Sequence, residues 1–267
     1  MSGKADPRQQ WAQSFGSDPE RYDRARPRYP EAMVQRIVDS SPGHYVLDVG
    51  CGTGIAARHF QAAGCRVLGV EPDARMSDLA RRSGVEVEVA TFEAWDPAGR
   101  KFDAIVAGQA WHWIDAVLGA AKAAKVLRPG GRLAAFWNAG QPPPELAGAF
   151  AAVYRRVVPD SPFDLGAKPA LDGYSVLFSR AADGIREVGR FSDPEQWRFD
   201  WEWSYTREDW LEQLPTRGAL TRLPPNRLAE VLAGIGTAID TVGGSFTMHY
   251  TTVAVTAART GGARPGF

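Results

Sequence analysis

Short apolar runs alternate with longer stretches of helical periodicity through the first half of the chain. The runs are 45–49 (YVLDV), 66–70 (RVLGV), 85–89 (VEVEV), 102–106 (FDAIV) and 132–136 (RLAAF). Between them, apolar positions three and four apart predict helices over about 54–63, 74–83 and 114–126, with another near 30–40. Strand alternating with helix is the mark of βαβ units, because parallel strands need a crossover to return to the same edge. Lys122, Lys125 and Arg128 fall late in the third of these helices, where cations suit the negative end of the dipole. Pro129-Gly130-Gly131 reads as the turn into the fifth strand.

After Asn138 the regularity fails. Gln141-Pro142-Pro143-Pro144 is a breaker, followed by a helical pattern to about Val158 and a loop-rich stretch to about Asp193. Trp197, Trp201, Trp203 and Trp210 crowd the next segment, and 197–205 (WRFDWEWSY) alternates large apolar with polar groups as a half-buried strand would. A helix near 224–240 and a strand near 245–256 (SFTMHYTTVAVT) follow. The expected architecture is α/β: a mostly parallel seven-stranded sheet with helices on both faces, five parallel strands then a late hairpin-like pair, and a small cap. We expect one domain over 1–258, with 1–30 as an N-terminal lid segment, 139–196 as a cap insertion, and 259–267 (RTGGARPGF) as a disordered tail.

Charge and cysteine content narrow the partners. Lys plus Arg and Asp plus Glu are 31 each, so the chain lacks the basic excess that gripping a phosphate backbone usually requires. A nucleic-acid substrate is therefore disfavoured. Cys51 and Cys65 are too few for a disulfide framework in 267 residues, which suggests a reducing compartment. The first 30 residues hold no apolar signal region, and no stretch approaches the roughly 18 apolar residues of a membrane span. The expectation is a cytoplasmic protein, monomer or homodimer, without a membrane partner. His44, His59 and His249 stand singly, with no spacing that suggests a metal site.

The sharpest feature is 46–54, VLDVGCGTG, at the end of the first strand and the start of a helix. Glycines there let the backbone turn tightly and approach a ligand, and ligands of open α/β sheets bind at the carboxyl ends of the strands. Glu71 ends the second strand, 21 positions beyond Gly50, where an acid can accept hydrogen bonds from both ribose hydroxyls of an adenosine. A dinucleotide fingerprint would need glycine where Ile55 stands, and a P-loop would need Gly-Lys-Ser/Thr. S-adenosylmethionine has no pyrophosphate, but its ammonium needs acceptors, which Asp48 and the loop carbonyls can supply.

With GVEPDARM (69–76), FDAIVAGQAWHWID (102–115) and AAKVLRPGGRLAAFWN (123–138), this loop resembles the class I S-adenosylmethionine-dependent methyltransferases. Within them the chain is similar to the small-molecule group (methyltransferase type 11) that includes trans-aconitate methyltransferases, and RYDRARPRYP (21–30) fits that group too. The resemblance covers about 45–138 and implies a Rossmann-like fold with S-adenosylmethionine as cofactor. It implies that Gly50, Cys51, Gly52, Thr53 and Gly54 line the methionine part, with Asp48 in support. Glu71 would hold the ribose, Pro72 and Met76 flank the adenine, Thr91 and Phe92 meet its edge, and Gln109 borders the transferred methyl. Many relatives carry Asp where Thr91 stands.

At the rim of the sheet, Trp111, His112 and Trp113 follow Gln109. Aromatic faces stabilise a sulfonium, and His112 is a candidate base or positioning residue. Trp113 also fits the apolar start of the following helix. Tyr22, Arg24, Arg26, Arg28 and Tyr29 form a candidate lid, arginine being suited to a carboxylate through its planar fork. The expected function is methyl transfer to a small acceptor bearing a carboxylate or hydroxyl, by in-line displacement. An RNA or protein methyltransferase, or a non-catalytic S-adenosylmethionine-binding protein, would carry the same loop. Against the first, no Asn/Asp-Pro-Pro-aromatic motif follows the fourth strand, and neither cysteine sits where a cytosine nucleophile would.

Overall fold

The computed structural model describes residues 14–159, 170–218 and 220–261. In chain order its elements are α1 (Pro19–Ala25), α2 (Glu31–Asp39), β1 (Tyr45–Val49), α3 (Ile55–Ala62), β2 (Arg66–Glu71), α4 (Ala74–Arg82), β3 (Glu86–Val89) and β4 (Phe102–Gly108). Then come α5 (Ala116–Val126), β5 (Leu127–Gln141), α6 (Pro144–Val157), α7 (Ala170–Val188), β6 (Glu195–Thr206), α8 (Arg207–Gln213), α9 (Pro225–Asp240) and β7 (Ser245–Ala258). Trp111–Trp113 forms a short 3-10 turn before α5.

The seven strands lie in the order β3-β2-β1-β4-β5-β7-β6. The first five are parallel, as expected. Their central members are buried on both faces, which is why β1 and β4 read as near-continuous apolar runs rather than alternations. β7 runs antiparallel between its neighbours: Arg259 N–H donates to Gly131 O, Thr256 Oγ1 to Leu133 O, and Thr252 Oγ1 to Asn138 Oδ1. On its other side Thr251 hydrogen-bonds Asp200 and Ser204 hydrogen-bonds Thr247. The strand order reverses between β1 and β4, and that reversal opens the crevice in which such sheets bind ligands.

Two differences from the sequence expectations have physical causes. The stretch read as loop up to Asp193 contains the 19-residue helix α7. Phe178, Ala181, Ala182 and Ile185 are buried at helical spacing, but Gly173 and Gly184 disguise the pattern. Gly184 serves packing instead, since a Cβ there would lie 2.6 Å from the Ala116 backbone. Pro129-Gly130-Gly131 is likewise not a turn before β5 but an irregularity inside it. Phe102 pairs with Leu127 and Ala104 with Arg132, so six residues of β5 oppose three of β4.

The chain divides into two compact units. The larger comprises residues 28–138, 175–199 and 252–267, of which those to Gly261 are described, and holds the parallel strands. Its core joins Met33 and Ile37 of α2, Ala57 and Phe60 of α3, and the inward residues of β1, β2 and β4. The smaller comprises 1–27, 139–174 and 200–251, of which 14–27, 139–159, 170–174, 200–218 and 220–251 are described. It packs Phe150, Tyr154, Tyr205, Trp210, Phe246 and Tyr250 around apolar residues of α9. The candidate lid's residues 1–13, the cap's 160–169 and the tail's 262–267 lie outside the described residues. Arg259 bridges Phe191, and Thr260 N–H donates to Arg190 O. Among the described residues no helix is long and apolar enough to cross a membrane.

Candidate active site at the switch point

The residues between β1 and α3 turn through three left-handed glycines, with φ of 65° at Gly50, 55° at Gly52 and 84° at Gly54. Gly50 N–H donates to Val70 O, tying the loop to the end of β2. A Cβ on Gly50 would lie 2.6 Å from Ala110 Cβ, so glycine here lets the β1 and β4 loops meet across the crevice. A Cβ on Gly52 would approach nothing closer than Met76 Cε at 3.7 Å. That leaves open room above the loop.

Two buried carboxylates face this turn. Asp48 is 1% exposed, and neither of its oxygens has a hydrogen-bond partner among the described residues. Burial, with a smaller push from the Glu71 charge, raises its pKa to about 7 against the lowering influence of the nearby Ala57 amide. Glu71, also buried, accepts from Gly52 N–H at 2.9 Å and from Asp73 N–H at 2.9 Å. Burial pushes its pKa to about 7 as well, against the pull of those two amides. The amides orient the carboxylate while leaving lone pairs for further donors.

The other expected cofactor residues divide by environment. Met76 is buried beside Gly52, and Pro72 is exposed between β2 and α4. Thr53 is buried, and its carbonyl accepts from Arg58. Cys51 turns its thiol toward β2, where a Cβ on Gly69 would sit 2.6 Å from Sγ, so its side chain belongs to the core. Burial raises that thiol's pKa well above the usual range. Thr91 Oγ1 accepts from Ala94 N–H, closing the turn after β3, and Phe92 is buried with its ring 6.3 Å from that of Trp111. Gln109 takes a left-handed φ of 57°, uncommon for a residue with a side chain and often found at functional sites.

Trp111 is 2% exposed, and its Nε1–H has no partner among the described residues. His112 accepts a hydrogen bond at Nδ1 from Trp137 Nε1–H at 3.2 Å. Indole nitrogen only donates, so the neutral imidazole carries its proton on Nε2. Burial, aided by the Arg180 charge, lowers the His112 pKa to about 4. Its free nitrogen is thus a donor at neutral pH. Trp113 is half-buried in the same turn, its ring 4.6 Å from His112.

Of the candidate lid residues, Arg28 and Tyr29 belong to the larger unit. Arg28 O accepts from Asn138 Nδ2, and Tyr29 packs edge-on against Phe136, its hydroxyl over Gly108. In the smaller unit Arg24 pairs with Glu212, and Arg26 lies 5.3 Å over the Tyr22 ring. Sequence reasoning missed Trp137 and Arg180. The first was visible only as part of β5, and the second sits on the unrecognised α7. Among the described residues no acid, histidine or cysteine cluster could hold a metal.

Comparison with known proteins agrees with this architecture. Residues 22–137 match a family described as a methyltransferase domain. An uncharacterised methyltransferase of Mycobacterium tuberculosis is 35% identical over 127 residues, covering 47% of this chain and 52% of that protein. A malonyl-[acyl-carrier protein] O-methyltransferase of Enterobacter lignolyticus is 31% identical over 156 residues, 54% of this chain and 62% of that one. The chain spans about half the length of the mycobacterial relative it matches. A solved structure assigned as a type II methyltransferase from Anaeromyxobacter dehalogenans is 25% identical with a TM-score of 0.64, covering 87% of this chain and 97% of that chain. Residues 22–137 therefore match a methyltransferase domain, the class for which the sequence resemblance implies S-adenosylmethionine as cofactor. The residues present suit that cofactor: the unpartnered Asp48 oxygens call for a cation or donor, and Gly52 leaves room beside them.

Proposed function

We propose that the protein transfers a methyl group from S-adenosylmethionine to an oxygen of a small carboxylate- or hydroxyl-bearing acceptor, by in-line displacement. The observation that carries this reading is Asp48, a buried carboxylate with both oxygens unpartnered, beside an open glycine loop at the switch point. The cofactor, when bound, supplies an electrophilic methyl on a sulfonium. Asp48 would accept from its ammonium, and Glu71 from the ribose hydroxyls. Gly50, Gly52 and Gly54 let the backbone pass close to the methionine part. Met76 and Pro72 would flank the adenine, with Thr91 and Phe92 at its edge and Gln109 bordering the methyl.

A carboxylate acceptor is already an anion, so alignment alone can supply much of the acceleration and no base is required. His112 fits this, since its free nitrogen donates rather than accepts. The Enterobacter relative, an O-methyltransferase named for a malonyl acceptor, supports the same choice. The test is incubation with methyl-labelled S-adenosylmethionine and a panel of small carboxylic acids and phenols. Alkali releases methanol from a methyl ester and leaves a methyl ether intact, so it reports the acceptor oxygen. Label passing only to RNA or protein would overturn the small-molecule reading.

A further inference from the structure

Beside the turn at Trp111–Trp113 lies a small, partly open cavity of about 10 Å³, room for one water-sized group. Trp111, His112 and Ile114 line it from that turn, Ala116 from α5, and Leu177, Arg180 and Ala181 from α7. Three of its lining residues, Trp111, His112 and Arg180, carry side-chain donors. The Trp111 Nε1–H is buried and unpartnered. His112 shows Nε2–H, because Trp137 occupies Nδ1. Arg180 is exposed, with no ion pair among the described residues. No acidic residue lines the cavity.

We propose that this cavity seats one oxygen of a carboxylate on the acceptor, held by Trp111 Nε1–H, His112 Nε2–H and the Arg180 guanidinium. This deepens the proposed function by naming how the acceptor is recognised, and it rests on that reading for the carboxylate's place in the reaction. An occupant that only accepts hydrogen bonds satisfies all three donors, whereas a hydroxyl or ammonium would set a proton against them. The guanidinium adds charge and a planar fork suited to the same group. Trp137, itself fully buried, acts through His112 as a positioning residue by fixing which nitrogen bears the proton.

The test uses the full chain saturated with S-adenosylhomocysteine and titrated with succinate, with succinamide as the neutral control. The readout is the Trp111 indole N–H resonance, assigned from its disappearance in Trp111→Phe. Succinate should shift that resonance saturably and succinamide should not. Arg180→Gln, an exposed substitution that leaves the core intact, should weaken succinate binding at least tenfold while S-adenosylhomocysteine affinity stays unchanged. An unmoved resonance, or equal succinate affinity in Arg180→Gln, overturns the proposal. Failure of S-adenosylhomocysteine to bind at all would instead remove the methyl-transfer reading, and the succinate titration would still decide the cavity.

Discussion

Replacing Asp48 with asparagine separates two effects that a buried, unpartnered carboxylate must have. With its pKa raised from 3.8 to about 7, the folded chain without ligand binds this proton more tightly than the unfolded chain. The stabilisation is full below about pH 4 and is lost as pH rises toward 7. The shift corresponds to about 4 kcal/mol, of which an asparagine amide, itself left unpaired, recovers roughly 1–3 kcal/mol. Asp48→Asn should therefore raise the melting temperature of the ligand-free protein at pH 8 by several degrees. Binding should move the other way. An ammonium needs the ionised carboxylate, so proton competition weakens affinity about tenfold at pH 6 relative to pH 8. Glu71, also raised to about 7, contributes its own slope in both proteins. Asp48→Asn should thus lose one factor of about ten in the pH dependence, and bind S-adenosylhomocysteine roughly ten- to a hundredfold more weakly at pH 8. Calorimetric titrations at pH 6, 7 and 8, with thermal melts of the ligand-free proteins, read both effects. Identical pH profiles for the two proteins would refute the assignment of Asp48 to the ammonium.

Glu71→Ala removes an acceptor for the ribose hydroxyls and frees the Gly52 and Asp73 amides. Its S-adenosylhomocysteine affinity should fall about tenfold or more by calorimetry, and unchanged affinity would remove the ribose role. Gly50→Ala places a Cβ 2.6 Å from Ala110 Cβ at a φ of 65°. It should cost roughly 1–3 kcal/mol in urea unfolding and impair cofactor binding as well. In the smaller unit, Thr206 caps α8 in a reciprocal capping box with Asp209. Thr206→Ala should cost about 1 kcal/mol, a drop of roughly 2–4 °C in melting temperature, and leave cofactor affinity untouched.

Much of this architecture was legible because the central parallel strands are buried on both faces and advertise themselves as apolar runs. β1, β2 and β4 lie within a residue or two of their expected bounds. The glycine turn was equally plain, since three left-handed positions admit few other residues. What escaped was information carried by packing. Gly184 reads as a breaker until the Ala116 backbone is seen against it, and with α7 unrecognised, Arg180 could not be placed near His112. The proton position on His112 was invisible for a similar reason, because its partner Trp137 stands 25 residues away on β5. Cys51 lies in the loop by sequence yet sends its thiol into the core, a distinction set by its closeness to Gly69.

The most direct test of the central claim is calorimetric titration of the purified chain with S-adenosylmethionine, S-adenosylhomocysteine and NAD in parallel. Saturable binding of both adenosyl ligands at one site, with none of NAD, is the predicted result. Binding of NAD, or of none of the three by a sample with a cooperative melt, would contradict the reading of Asp48, the glycine loop and Glu71 as a cofactor site.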